Sequence, residues 1–552
     1  MNGRDAIRPA LSLCVVVAAA LCLASCGGGG AGTATAATHG PDAHTFTDVV
    51  AEVPLDLDET GTPDPGTVAL LPSWSSELVR PQPAAPGANA KLPGDDAVVP
   101  YLATSWQRDS SGSYTFELRR GARGPSGDPL TAADVRWSLE RAIARSPVAP
   151  FLFGLAHIDS NDPVTILDPH RVRVNVTSPS PFTLSVLASY DAAIYDSRIY
   201  RSHASASDPW AQAWGATHSA GYGAYWVAAD VPGKEVTLRA NPGFWRQPWY
   251  TTVLIKYEPN PSNRLDDVLT GAATHTTGLT WAEFQNAGDN SAQDGVRATV
   301  LQTGPSVIAW HLNVTHGPLA NPQVRQALSL GVDRAELADG LDYGLTQPDS
   351  SVIPAVFGEQ QPSDYDPEAA RSLLRAAGVN AGDLTVSIVT NEQLTDDLAP
   401  AVLGYLYGDL HTASNSIGVN LDMSYVDDAD QLLALEAHRT LESTLEVSTP
   451  LLGGAGFLLE ETANTQLDPV STASREGYSN PSLQTLLNQI ASSPGGAATR
   501  ALITQAAHVI DTDTPTINLA EIPVQNVTRA DVTGYAAYTV PVVYYENLHP
   551  TT

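Results

Sequence analysis

The sequence predicts an α/β protein, and three features carry that expectation. Tyr114, Phe116 and Leu118 alternate with Thr115 and Glu117, the two-residue period of a half-buried strand, ahead of a run rich in turn residues from Gly121 to Pro129. Thr131 is then placed to cap a helix, with Asp134 near the positive end of its dipole, and Val135, Leu139, Ala142 and Ile143 return at helical spacing. A second succession of the same kind begins at Trp310. His311, Leu312 and Asn313 end a strand, Asn321 and Pro322 supply an N-cap and a first-turn proline, and Val324, Ala327, Leu328 and Gly331 share one helical face.

Length and composition bound the rest. A chain of 552 residues can bury a large core and divides naturally into two to four domains. Its 43% hydrophobic and 16% charged content is that of a globular protein. Sixty acidic against 29 basic residues leave a net charge of −31, which argues against binding nucleic acid or adhering electrostatically to anionic lipid. The charge weakly favours cationic or neutral ligands, although an acidic surface that keeps a secreted protein soluble is the better account of it.

The chain opens with Arg4 and Arg8, an apolar run from Ala10 to Ala24, and Cys26. The run is short for a transmembrane helix and has the layout of a secretory signal, expected over 1–25. Leu23-Ala24-Ser25-Cys26 resembles a bacterial lipobox, which implies lipidation of Cys26 and an anchor in the outer face of the cell membrane, on the periplasmic side; cleavage near Ser25 in an ordinary secreted protein is the alternative. Cys14 and Cys22 would leave with the signal, so the mature chain offers no disulfide, thiolate metal site or cysteine nucleophile. Residues 26–44, rich in Gly, Ala and Thr, read as a flexible tether.

Further along, Val49 to Leu57 reads as a first strand and Val68 to Arg80 as a turn and helix. Val172, Val174 and Val176 alternate as another strand. Asp366 and Pro367 open a capped helix with Ala370, Leu373, Leu374 and Ala377 inward and Gly378 as its stop, and a strand begins at Leu384. There is no His-Glu-x-x-His, Gly-x-Ser-x-Gly, Walker A or dinucleotide motif, so no enzyme is expected, no catalytic or metal-ligating residue is named and no cofactor is implied. His157, His275, His311, His316 and His508 stand singly, the pattern of structural or solvated histidines. Gly453-Gly454-Ala455-Gly456 lacks a following lysine and reads as a loop near a cleft.

Several short blocks resemble family 5 extracellular solute-binding proteins, the peptide, nickel and oligosaccharide receptors of ABC importers. They include Leu102-Ala103-Thr104-Ser105-Trp106, Gly127 to Val135, Ser138-Leu139-Glu140-Arg141, Glu77-Leu78-Val79-Arg80, Ala220 to Tyr225, Asn241-Pro242-Gly243-Phe244-Trp245, Pro322 to Arg334 and the segment around Asp366, in the family's order. Departures fall at Arg123 to Ser126, at Ala272 to His275, and at Leu451 to Glu461, where peptide-binding members carry a tryptophan and an aspartate that holds the ligand's α-ammonium group. Glu460 or Glu461 is the available substitute, as a carboxylate needs only charge and a short hydrogen bond for that task.

The resemblance implies a class II periplasmic-binding-protein fold: two α/β lobes with a hinge, and a further domain inserted in the N-terminal lobe. Lobe I is expected to comprise 45–90, 218–303 and 515–552, the inserted domain II 91–217, and lobe III 304–514. It also implies Ser73, Trp74, Phe151, Tyr225, Trp310, Asn313, Gly454 and Glu460 as cleft residues. The expected function is capture of a small molecule or peptide by a monomeric lipoprotein for an ABC permease and ATPase complex, with no nucleic acid involved. A non-transporting lipoprotein of the same fold, its cleft filled by its own side chains, is the second expectation.

Overall fold

Two strands, Val296–Leu312 and Thr516–Arg529, carry the chain from one half of the molecule to the other and pair antiparallel along most of their length. The computed structural model describes residues 43–551, apart from interruptions of which the longer are 59–64, 88–91, 343–346, 358–364, 392–397, 427–431 and 465–471. The signal expected over 1–25, Cys26 and nearly all of the 26–44 tether lie outside the described residues. Among the described residues no helix is long and apolar enough to cross a membrane.

Each end of the strand pair is built into a different half. Val527 and Thr528 face His275–Thr276, and beyond it lie Thr45–Val50, Thr252–Tyr257, Glu235–Ala240 and Tyr225–Val231. At the other end Val307 to Leu312 faces Ser443–Ser448, followed by Thr385–Asn391 and Asn420–Val426. Thr45–Val50 and Thr385–Asn391 both have parallel neighbours, so each half is an α/β layer with helices against its sheet. In between the ladder slips: Thr303 faces Pro523 but Val307 faces Glu521. Pro305 and Pro523 have no N–H to give, and a Cβ on Gly304 would run into the Ile522 carbonyl oxygen. The bulge is the weakest-paired point between the halves.

A separate four-stranded antiparallel sheet, ordered Ala103–Arg108, Tyr114–Leu118, Arg171–Val174 and Val164–Asp168, lies beside the first half. Its helix Ala132–Arg145 starts where expected: the Thr131 N–H donates to Asp134 Oδ2 at 2.8 Å, and the Ser197 N–H donates to the other Asp134 oxygen at 3.0 Å. Arg141, 1% exposed, pairs with the equally buried Asp58 and lies 4.8 Å from the Tyr200 ring centroid. That pair joins the helix to the chain's first loop.

Three expectations are corrected in detail. The first strand is Thr45–Val50, not Val49 to Leu57, because Pro54 cannot serve a ladder and the buried Asp48 is satisfied by His275 at 2.8 Å and the Tyr545 hydroxyl at 2.6 Å. Val68 to Arg80 is not one helix: Pro65–Leu70 is helical, Leu71–Ser73 is a tight turn of helix, and Val79–Pro81 is a strand paired with Val98–Pro100. The glycine-rich stretch is a loop only to Gly454, whose φ is 115°, and Ala455–Ala463 is helical; burial of Phe457 and Leu459 outweighs the poor helix propensity of Gly456.

Candidate functional site

A cleft of about 740 Å³, open mouth included, is bordered by five chain segments, one of them carrying Gly94, Ala97 and Val98. Val68, Pro72 and Glu77 come from the turn before Val79–Pro81, and Ser185, Ala188 and Tyr190 from the segment after the four-stranded sheet. Leu452 and Gly453 precede the Ala455–Ala463 helix, and Tyr538 and Tyr544 lie in the C-terminal segment. Leu452 and Gly453 lead into a helix that packs on Pro481–Ala491 and Ala497–Asp513.

The floor is an ion network. Arg80 lies 3.2 Å from Glu77 Oε2, makes a closer pair with Glu546 Oε1, and donates to the Pro72 carbonyl at 2.9 Å. Its guanidinium is sandwiched between the rings of Tyr101 and Tyr544, 3.5 and 4.2 Å from their centroids, and the Tyr101 hydroxyl donates to Glu546 at 3.0 Å. Glu77 and Glu546 are 2% and 5% exposed, so two buried carboxylates share one guanidinium. Burial pushes the Glu77 carboxyl up and Arg80 opposes the shift.

One wall carries a second strained group. Asp191, beside Tyr190, accepts from the Ser146 hydroxyl at 3.1 Å, and its other oxygen is buried with no hydrogen-bond partner among the described residues. Burial raises its carboxyl to about 7 against the pull of Ser146. The charges of Asp191 and of Glu461, from the facing helix, both act on the Tyr190 hydroxyl.

The residues expected at the cleft from sequence are spread more widely. Ser73 and Trp74 are 2% and 1% exposed beside the floor, and among the described residues neither Ser73 Oγ nor Trp74 Nε1 has a hydrogen-bond partner. Tyr225 is wholly buried and donates its hydroxyl to the Tyr250 carbonyl at 2.9 Å. Trp310 is wholly buried in the second half and donates Nε1–H to Ser443 at 2.8 Å. Phe151 is half-buried at the interface, its ring 6.5 Å from that of Phe457. Gly454 is buried at the start of the facing helix. Glu460, 0% exposed in that helix, accepts from Asn464 at 2.7 Å; burial raises it to about 7.

Asn313 lines a second, smaller space of about 300 Å³ with His311, Arg439, Thr472 and Glu476. Its amide donates to the Arg439 and Leu441 carbonyls at 3.1 and 3.0 Å, which fixes the end of the crossing strand. His311 lies 3.1 Å from Glu446 and 2.9 Å from Glu476. Burial disfavours its charge, but hydrogen bonds to both carboxylates outweigh that and raise it to about 10.

Glu77, Tyr190, Tyr538 and Tyr544 were not among the residues expected to touch a ligand. Glu77 sits in a block read as a family signature, and Tyr535, Tyr538, Tyr544 and Tyr545 form a C-terminal tyrosine cluster that was the available signal.

Comparison with known proteins is consistent across three levels. A sequence model of the bacterial extracellular solute-binding proteins, family 5 Middle, matches residues 97–440. The peptide transport periplasmic protein SapA of Salmonella typhimurium is 26% identical over 316 residues, 54% of this chain, and the match spans only 56% of SapA. The glutathione-binding protein GsiB of Shigella dysenteriae is 24% identical over 449 residues, covering 79% of this chain and 82% of GsiB. Among solved structures, the periplasmic binding protein DppA from Helicobacter pylori in complex with peptide STSA superposes with a TM-score of 0.75 at 19% identity, covering 92% of this chain and 98% of DppA. NikA from Brucella suis in complex with Fe(III)-EDTA gives 0.75 at 17% identity, covering 92% and 100%. The latter two establish the two-lobed α/β fold.

Proposed function

The chain belongs to the bacterial extracellular solute-binding proteins of family 5, a family of binding proteins and not of enzymes, and from that premise we propose that it captures a small solute in the inter-lobe cleft and hands it to an ABC permease. The observation that carries the reading is the cleft itself, with Glu77 and Tyr544 on one side and Leu452 and Gly453, from a distant part of the chain, on the other. A solute that touches both sides favours their approach, and the bulge at Thr303 to Val307 gives the crossing strands a place to bend. A dissociation constant near 1 μM, about −8 kcal/mol, is ample to bias such a hinge.

The remaining parts follow the same reading. The four-stranded sheet and its helices form the additional domain beside lobe I. Cys26 carries the lipid anchor, so the protein works as a monomer on the outer face of the cell membrane. The relatives' names point to peptides and glutathione as solutes to be tried first.

One observation favours the second reading, a non-transporting envelope protein. Phe457 from the facing helix packs on Phe182 and Phe151, with ring centroids 6.3 and 6.5 Å apart, and the apolar cluster runs unbroken from lobe I through Phe457 to Leu487 and Ile510. Thermal-shift measurements against pooled peptides, sugars, metal chelates and amines separate the two, supported by mass spectrometry of any co-purified molecule. A rise in unfolding temperature with one class is the receptor's result. No shift with any class and no bound molecule is the scaffold's.

A further inference from the structure

The cleft is unusual in its charge. Among its described lining residues Glu77 is the one charged side chain, and the rest of the lining is apolar or neutral. The nearest guanidinium, Arg80, is already shared between Glu77 and Glu546, so two carboxyls face one cation beneath the cleft. Asp191 and Glu461 lie within electrostatic reach of Tyr190. Tyr190, Tyr538 and Tyr544 supply three aromatic rings to the lining, two of them from the C-terminal segment.

Resting on the receptor reading, we propose that the cleft selects a small organic ammonium ion, with Glu77 as the counter-charge and Tyr190, Tyr538 and Tyr544 as the aromatic walls. An ammonium group gains from a carboxylate in a poorly hydrated site and from the negative faces of aromatic rings, whereas an anion there meets uncompensated repulsion. Arg80 holds one oxygen of Glu77 and the Pro72 carbonyl, which fixes the carboxylate without neutralising the site. The counter-charge thus comes from lobe I. Glu460, in the Ala455–Ala463 helix, accepts from Asn464 and does not line the cleft.

The groups facing Glu77 are Arg80, Glu546, Tyr101 and Tyr544, the last three also packed on Arg80. Burial raises the Glu77 carboxyl, so its charged form is lost earlier than usual as pH falls. Ammonium binding should therefore weaken on acidification while the ligand keeps its own charge.

Calorimetric titration of the whole mature protein with choline, with putrescine and with 3,3-dimethylbutan-1-ol, the uncharged isostere of choline, tests this. At least one cation should bind, at least ten-fold tighter than the neutral alcohol, and Glu77→Gln should weaken that cation about ten-fold. Tyr190→Leu, which leaves the ion network intact, should weaken it similarly and guards against misfolding of the Glu77 variant. Equal affinity for the alcohol, no binding of either cation, or cation binding unchanged in both variants overturns the proposal. If either result is accompanied by tight binding of an uncharged or anionic solute, the receptor reading stands and only the charge selectivity falls. If no solute of any class binds, both fall.

Discussion

Arg80 is where the chemistry of single residues is most concentrated. Among the described residues its charge is the cation paired with Glu77 and Glu546, and its ring partners Tyr101 and Tyr544 are themselves buried. Arg80→Met keeps the bulk and removes the charge, leaving two carboxylates without a counter-ion. A loss of about 3–5 kcal/mol is expected in urea unfolding at pH 7, shrinking as pH falls and the carboxylates take up protons. A loss below about 1 kcal/mol, or one that is flat with pH, would show that the network contributes little. Trp310 makes the opposite point. Its aromatic size invited a place at the cleft, yet its indole N–H is bound to Ser443 in the core of the second lobe. Trp310→Phe should cost about 1–2 kcal/mol through that hydrogen bond and lost volume, with solute affinity unchanged. Sequence shows that a tryptophan will be buried; it does not show what its N–H will meet.

At the scale of elements, capped helices were the most legible. Thr131 with Asp134, Asn321 with Pro322 and Asp366 with Pro367 all begin helices where the residues say they should, because a cap is a local hydrogen bond. The Ala455–Ala463 helix was not legible, since its glycines argue for a loop and only contacts from a distant part of the chain argue otherwise. Phe457→Ala should cost about 3–5 kcal/mol and loosen the contact with Phe151 and Phe182. Small-angle scattering of that variant should give a larger radius of gyration in the absence of solute; an unchanged radius would mean that Phe457 does not hold the lobes together. The Ala220 to Tyr225 crossover was readable for a different reason. A Cβ on Gly223 would come within 2.6 Å of the Ser73 carbonyl oxygen, part of a backbone that cannot swing aside, so Gly223→Ala should destabilise by about 1–3 kcal/mol. A substitution that is neutral in chemical unfolding would contradict so close an approach.

Over the whole molecule, buried carboxyls set the response to pH. Burial raises Asp191 and Glu460 to about 7, and it raises Asp349, with help from Glu521, to about 8. Their ordinary values are 3.8 for aspartate and 4.5 for glutamate, so the folded chain keeps protons that the unfolded chain has released. Stability should fall as pH rises from about 4 to 8, by up to about 1.4 kcal/mol per pH unit for each group. His311, raised from 6.5 to about 10, contributes stability that is complete below 6.5 and is lost as pH climbs towards 10, in the same direction. The unfolding temperature should be higher at pH 5.5 than at pH 8, and Asp191→Asn should flatten the difference. An equal or higher value at pH 8 would show that these groups are solvated.

The two-lobed plan itself was legible from the order of short blocks such as Pro322 to Arg334, whose arginines tie helices to the crossing strand. Arg325 donates to the Asp513 and Thr514 carbonyls at 3.0 Å and Arg334 to that of Asn518 at 2.7 Å. The cleft was not legible, because its lining comes from five segments spread along the chain. The most direct test is a cleft-filling substitution, Ser185→Trp, compared with the unmodified protein in thermal shift against the same solute panel. A solute that raises the unfolding temperature of the unmodified protein should fail to raise that of Ser185→Trp, whose own unfolding temperature should change little. Equal shifts in the two proteins would contradict this cleft as the binding site.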